Sequence, residues 1–231
     1  MVHIGAIERV VRDLDLDLVA VAAEPFAVAR SVVGDDPNAN ISAVLIDVGG
    51  GTTDIAVLRD GGLEGTRMFG IGGRSFTRTI ARDLGLEFAD AEELKISLSS
   101  GDISEEQRHQ VEASIKKTLG VWIQGVQLAM SEFDWLDYLP HKILLCGGGS
   151  SLELLREALK SKSWRKDLPF SKDPVTQLIE VADVAEIKDA SGKLNDHTMI
   201  TAMGLARVGN DTLGFDTNAS VRGRISKVLE N

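Results

Sequence analysis

A single cysteine, Cys146, stands in a chain of 231 residues, which excludes an internal disulfide and suits a reducing compartment. Basic charge is also scarce: 25 Lys and Arg face 35 Asp and Glu, a formal balance of −10. So acidic a chain excludes broad contact with nucleic acid or an anionic bilayer, which needs clustered positive charge. One anionic ligand remains compatible, because a few backbone donors and a bound cation reverse the field locally. No apolar run approaches the roughly 18 residues of a spanning helix, and no charged-then-apolar leader pattern opens the sequence. The expectation is a cytoplasmic protein, at most peripheral at the inner face of the cell membrane.

What is present is an alternation of strand-like and helix-like segments. Gly5 to Arg12 reads as helix, Leu16 to Ala22 as a buried strand, and Pro25 to Val32 as a second helix opened by a first-turn proline. Gly34 to Asn38 is a turn cluster. Two strands then flank Gly49-Gly50-Gly51, a tight turn follows at Arg59 to Gly62, and a third strand runs from Leu63 to Phe69. Gly70 to Gly73 opens a helix through Phe76, Ile80 and Leu84, and Ala89 to Leu98 forms another. Ser104 starts the longest helix, with Gln107 as its capping-box partner. Its apolar stripe is Val111, Ile115, Leu119, Trp122, Val126, Met130 and Phe133. Ile143 to Cys146 is a buried strand before Gly147-Gly148-Gly149 and a helix to Leu159. Leu178 to Val181 reads as a last strand and His197 to Arg207 as a last helix. Trp122, Trp135 and Trp164 read as packing residues, Cys146 as a small buried strand residue, and His3 as incidental. In the tail, Val221, Ile225, Val228 and Leu229 alternate with Arg222, Arg224 and Lys227, as in a fraying helix or a small amphipathic foot.

Chemistry concentrates at Asp47-Val48-Gly49-Gly50-Gly51-Thr52-Thr53-Asp54. Successive glycines let a backbone approach a bulky ligand and turn its N–H groups inward. Thr52 and Thr53 add hydroxyl donors for anionic oxygens. In a hairpin, Asp47 and Asp54 face each other across the open end, where a hydrated Mg²⁺ bridging phosphates would fit. An ordinary hairpin needs only a two-residue turn, so three glycines ask for another explanation.

Further glycine clusters follow in order: Gly72-Gly73, Gly147-Gly148-Gly149, and Gly204 within Ala202 to Ala206. Their sequence and spacing resemble the actin-like ATPase superfamily, whose members include actin, seventy-kilodalton heat-shock chaperones and sugar kinases. Leu45 to Asp54 resembles that family's second phosphate motif, Ile143 to Gly149 its adenosine motif, and Ala202 to Ala206 its second connecting helix. Glu24-Pro25-Phe26-Ala27 resembles the first connecting helix. Within the superfamily, Gly49 to Val57 and Ala91 to Ile96 are most similar to bacterial cell division protein FtsA. The spacing from Gly72 to Lys95 also resembles PilM, a pilus assembly protein.

The resemblance implies an α/β, actin-like (ribonuclease H-like) fold with a central mixed sheet flanked by helices and a helical subdomain. It also implies ATP and Mg²⁺ as cofactors, ATP or ADP as ligands, and self-association or other division proteins as partners. Asp47 and Asp54 would hold the metal. Gly49, Gly50, Gly51, Thr52 and Thr53 would meet the β- and γ-phosphates, with Gly72 and Gly73 beside them. Glu92 and Lys95 would reach the nucleoside, and Gly147, Gly148 and Gly149 would face the base. Glu24 corresponds to the residue that orients the attacking water, although a helix-terminal carboxylate has a dipole reason to be there too. The expected divisions are 1–37 for a first subdomain's end and connecting helix, 38–88 and 140–209 for the nucleotide-binding parts, 89–139 for the helical subdomain, and 210–231 for the tail. The family's first phosphate motif has no counterpart before Glu24, so the chain reads as a C-terminal half with weak or no ATPase activity alone. A PilM-like type IV pilus assembly ATPase, or a small-molecule kinase or exopolyphosphatase on the same fold, is the competing function. Membrane contact would be indirect or through the C-terminal segment.

Overall fold

Strand β1 (Ala43–Val48) is the axis of the fold, with all six residues buried. Such a strand needs cover on both faces, and its run of four apolar residues, Ala43 to Ile46, has apolar side chains for each face. The computed structural model describes residues 2–33, 41–185 and 187–214. Around β1 lies a five-stranded sheet of order β3-β2-β1-β4-β5. β2 (Thr53–Arg59) pairs antiparallel with β1, and β3 (Gly62–Phe69) antiparallel with β2. β4 (Lys142–Cys146) and β5 (Val175–Leu178) extend the other side in parallel. Asp60 and Gly61 both have positive φ, 49° and 78°. That pair makes the tight β2–β3 link, the backbone twist favoured by a two-residue Asp-Gly hairpin.

Strand pleating divides the core in two. Val44, Ile46, Val48, Ile55, Val57, Ile143 and Leu145 point to one side. There they meet Phe76 and Ile80 of α3 (Gly73–Leu84), Ala91 of α4 (Phe88–Ser100), and Ile115, Trp122 and Val126 of α5 (Glu105–Ser131). Leu155 and Leu159 of α6 (Glu153–Lys160) complete that side. Ala43, Leu45, Ala56, Leu58, Leu144 and Cys146 point the other way. They pack on Val28 and Ala29 of α2 (Glu24–Val33) and on Ile200 and Met203 of α7 (Ile200–Leu213). These two helices cross so closely that a Cβ on Gly204 would lie 2.0 Å from the Ala27 carbonyl oxygen. Glycine is what allows the crossing.

Most expected elements are present, and α5 carries the reciprocal Ser104–Gln107 cap. Four details differ. The helix α1 (Val2–Asp13) is longer than the expected Gly5 to Arg12. Leu16 to Ala22 forms no strand, and Leu16, Leu18, Val19 and Val21 are exposed. A strand exists by pairing, and no strand among the described residues lies beside this run. The final strand is β5, Val175–Leu178, three residues earlier than expected, because β4 fixes its parallel register from Lys142↔Val175 to Leu145↔Leu178. The last helix starts as a single 3-10 turn at His197–Met199 and continues as α7 to Leu213. Trp122 and Trp164 are buried, while Trp135 is half exposed against Phe133. The Gly34 to Asn38 turn, the side chain of His3 and the amphipathic pattern from Val221 to Leu229 lie outside the described residues.

Candidate functional site

The β1–β2 register sets Asp47 opposite Asp54 and Val48 opposite Thr53. The Gly49 N–H donates to the Thr52 carbonyl at 3.0 Å, closing a four-residue turn. Pleating then sends neighbours to opposite faces. Asp47 and Asp54 lie on the side covered by α2 and α7. Thr53 points into the other core, fully buried, where its hydroxyl donates to the Ile71 carbonyl (2.7 Å) and accepts from Trp122 Nε1 (2.9 Å). The expectation that the Thr53 hydroxyl meets an anion is therefore corrected: both of its bonds go to the protein. Thr52 remains in the turn, where its hydroxyl lies near enough to Asp54 to hold that carboxylate down against burial.

The carboxylates gather behind this turn. Asp47 accepts a hydrogen bond from Thr201 of α7 at 2.6 Å. Burial raises its pKa, while the bonds from Thr201 and Cys146 restrain the rise. Asp54 is likewise raised, first by burial and then by the Asp47 charge, against the Thr52 bond. Glu24, in the first turn of α2, is raised by burial and by the charges of Asp47 and Asp54. Cys146 beside them has its thiol pushed well up by burial and by Asp47, so it stays protonated. Asp47 and Asp54 are the groups able to take a cation here. No cluster of three or more His, Cys, Asp or Glu side chains able to hold a metal occurs among the described residues.

In front of the turn opens a cleft of about 640 Å³. Its walls include Gly49, Gly50, Gly73, Glu92, Lys95, Gly148 and Gly149 from the expected set. Gly51, Thr52, Gly72 and Gly147 support it from the side, and Glu24, Asp47 and Asp54 stand behind the turn. The two glycine loops meet, with Gly73 built so close to Gly149 that a Cβ would be 3.9 Å from its Cα. Gly147 has φ +80°, and a Cβ there would lie 2.1 Å from Asp47 Oδ1. The later loop and the carboxylate thus share one position that no other residue could occupy.

The amides divide in an informative way. Those of Gly73 and Arg74, at the start of α3, donate at 2.8 Å to the carbonyls of Gly49 and Gly50. They brace the turn rather than face the cleft. The amides of Gly50, Gly51 and Thr52 have no protein acceptor among the described residues. These are the donors left for a ligand.

Glu92 and Lys95 are less free than the sequence suggests. The buried Lys95 Nζ donates to both Glu92 carboxylate oxygens at 2.8 Å, to Thr77 Oγ1 at 3.0 Å and to the Gly73 carbonyl at 3.3 Å. Thr77 also donates to Glu92. Burial pushes Glu92 up, but the bonds from Lys95 and Thr77 and the Lys95 charge outweigh it and leave its pKa below the usual value. The pair ties α4 to the beginning of α3 and presents its edge to the cleft.

Among the wall residues that sequence reasoning missed are Arg74, Ser151, Arg156 and His197. His197 Nε2 lies 3.1 Å from Ser151 Oγ. Burial lowers its pKa, opposed by Asp196 and assisted by Arg156, so the ring is neutral at pH 7. Arg74 had a legible signal, because it directly follows Gly72-Gly73. His197 and Arg156 had none, since they arrive from distant segments.

A mixed sheet with α2 and α7 crossing on one face, and two glycine loops meeting at its strand ends, defines the actin-like class. The fold likeness is direct. The PilM–PilN type IV pilus biogenesis complex superposes with a TM-score of 0.68 at 22% identity, covering 89% of this chain and 57% of that one. Ethanolamine utilization protein EutJ from Carboxydothermus hydrogenoformans gives 0.58 at 20% identity, over 87% and 59%. The model of cell division protein FtsA matches residues 44–204, and the chain belongs to that family. Cell division protein FtsA of Pseudomonas aeruginosa is 27% identical over 195 residues, 75% of this chain and 46% of the relative. That of Bacillus subtilis is 32% identical over 90 residues, 39% of this chain and 20% of the relative. The chain thus spans less than half the length of these relatives.

Proposed function

We propose that this chain binds ATP with Mg²⁺ between its two glycine loops and serves as the nucleotide-holding part of an FtsA-type division scaffold. The observation that carries the reading is the meeting of both loops at one cleft, with unshared amides in the turn and two carboxylates directly behind it. Gly50, Gly51 and Thr52 offer backbone donors to phosphate oxygens, as glycine-rich turns do for anions. The Gly148–Gly149 backbone gives a flat wall for the base, and the edge of the Glu92–Lys95 pair faces the ribose. Asp47 and Asp54 fit a hydrated Mg²⁺, which needs one or two carboxylates and takes its other ligands from phosphates and water. Burial raises both carboxylates, and a cation between them favours their charged forms. When bound, the ion supplies charge neutralisation to the phosphates.

Catalysis in such a site is positioning and electrostatics rather than covalent chemistry. Glu24 is placed to orient a water or accept its proton, and its raised pKa brings it nearer neutrality, where a base is most useful. It also sits where the α2 dipole favours a carboxylate. Assembly with copies of itself or with other division proteins, at the inner face of the membrane, belongs to the same proposal. No helix among the described residues is long and apolar enough to cross a membrane. The PilM likeness keeps a pilus-assembly reading in view, over 89% of the chain at the level of fold.

The test is calorimetric titration of the intact chain with ATP, with Mg²⁺ and then with EDTA. A Kd tighter than about 1 mM that weakens markedly in EDTA supports the reading, and no heat at that concentration sinks it. Glu24→Gln should leave binding within about twofold while lowering any hydrolysis, as expected of a group that acts on the water.

A further inference from the structure

Arg74 opens α3 with its side chain exposed and lies along the cleft wall. Its guanidinium lies over the glycine turn. A Cβ on Gly50 would be 3.5 Å from Arg74 Nε, and one on Gly51 would be 2.9 Å from Nη2. The bare turn at Gly50 and Gly51 leaves room for the guanidinium to lie against its backbone. Among the described residues this cation has no ion-pair or side-chain hydrogen-bond partner, although Glu24, Asp47 and Asp54 stand on the far side of the same turn. Along the cleft, Gly149 lies beside Gly73, while the Arg74 guanidinium lies beside Gly50 and Gly51 at the turn.

We propose that Arg74 is the residue that reads the terminal phosphate, so that the site distinguishes a nucleoside triphosphate from a diphosphate. This deepens the nucleotide reading above and rests on it. A guanidinium matches two phosphate oxygens with parallel donors, which a lysine ammonium cannot do. The amides of Gly50 and Gly51, without a protein acceptor among the described residues, are available to the same anion. A phosphate at the tip then has Arg74 on one side and the carboxylate-bound cation on the other, so its charge is neutralised from both directions. A diphosphate that occupies the cleft from the Gly148–Gly149 end leaves the tip, and Arg74, unused.

The experiment compares Kd for ATP and ADP, each with Mg²⁺, in the parent chain, Arg74→Ala and Arg74→Lys. A charge-assisted bond is worth about tenfold to hundredfold in affinity, so the parent should prefer ATP by a factor in that range. Arg74→Ala should lose that preference while its ADP affinity changes by less than about threefold, and Arg74→Lys should fall between. Because Arg74 is exposed, these variants keep the fold, which circular dichroism checks. Equal ATP preference in parent and Arg74→Ala, equal loss for both nucleotides, or no preference in the parent each overturns the assignment while leaving nucleotide binding intact. A parent chain that binds neither nucleotide overturns the nucleotide reading itself, and this inference with it.

Discussion

One hydroxyl shows how finely the site is divided. Thr52 and Thr53 are chemically identical neighbours, yet only Thr52 stays at the turn, while Thr53 is clamped between Ile71 and Trp122. Thr53→Val should strand the indole N–H and the carbonyl, at about 1–3 kcal/mol in denaturant unfolding, with little effect on nucleotide affinity. Thr52→Val should do the reverse. A Thr53→Val chain as stable as the parent would contradict the clamp. The carboxylates give a pH signature. Burial raises Asp47 and Asp54 in the folded chain. An acid raised by folding contributes stability that is present below its unfolded pKa and lost as pH rises through the folded value. In EDTA the chain therefore loses stability from this source as pH rises from the ordinary carboxylate range through the raised folded values. His197, lowered on folding, works in the opposite direction, with its stability lost as pH falls through its folded value. The difference between parent and Asp47→Asn isolates the carboxylate. At neutral pH that variant should melt on the order of 2–4 °C higher in EDTA and lose its response to Mg²⁺. An unchanged midpoint would argue against the buried-acid strain.

Helices α2 and α7 pack along their length, with Arg30 paired to Asp211 at 2.6 Å, and approach most tightly at Gly204. With a Cβ on Gly204 only 2.0 Å from the Ala27 carbonyl, Gly204→Ala must push backbone from backbone. Overpacking of this kind costs about 1–3 kcal/mol or more, read as a lower urea midpoint. The same two helices carry Glu24 and Thr201, which approach the Asp54 and Asp47 carboxylates. Loosening the crossing should therefore also weaken Mg²⁺-dependent binding, whereas an alanine at half-buried Gly209, also in α7 but with no atom within 4 Å, should lower neither. A Gly204→Ala chain with parental midpoint and affinity would show that the crossing is not needed. At this scale the sequence read well wherever periodicity and caps were local. The α5 cap at Ser104 and Gln107 and the glycine hairpin were legible because their partners lie within a few residues. The Leu16 to Ala22 run failed because apolar character cannot report whether a neighbouring strand is there to pair with.

Across the whole molecule, the turn is the point where both faces of the sheet meet the ligand. The cleft draws on α3, α4 and the Gly148 loop, while the carboxylates answer to α2 and α7. Binding there should stabilise the chain as one unit. At a hundredfold excess over Kd, Mg²⁺-ATP adds about 2.7 kcal/mol by mass action, and EDTA should remove most of that gain in a thermal melt. A melt that ignores Mg²⁺-ATP at concentrations where calorimetry shows binding would break this coupling.

The sequence by itself determined the family, the glycine turn with its paired aspartates, and the alternation that builds a two-faced sheet, because each is written in spacing along the chain. Even the division of Thr53 from Asp54 was implicit in a period of two. Only the tertiary structure decided which amides are already taken, that Lys95 is held by Glu92 and Thr77, and that Arg74, Arg156 and His197 share a wall. Those facts depend on groups brought together from segments far apart in sequence. Distance in space between such groups follows from packing, which no local pattern encodes.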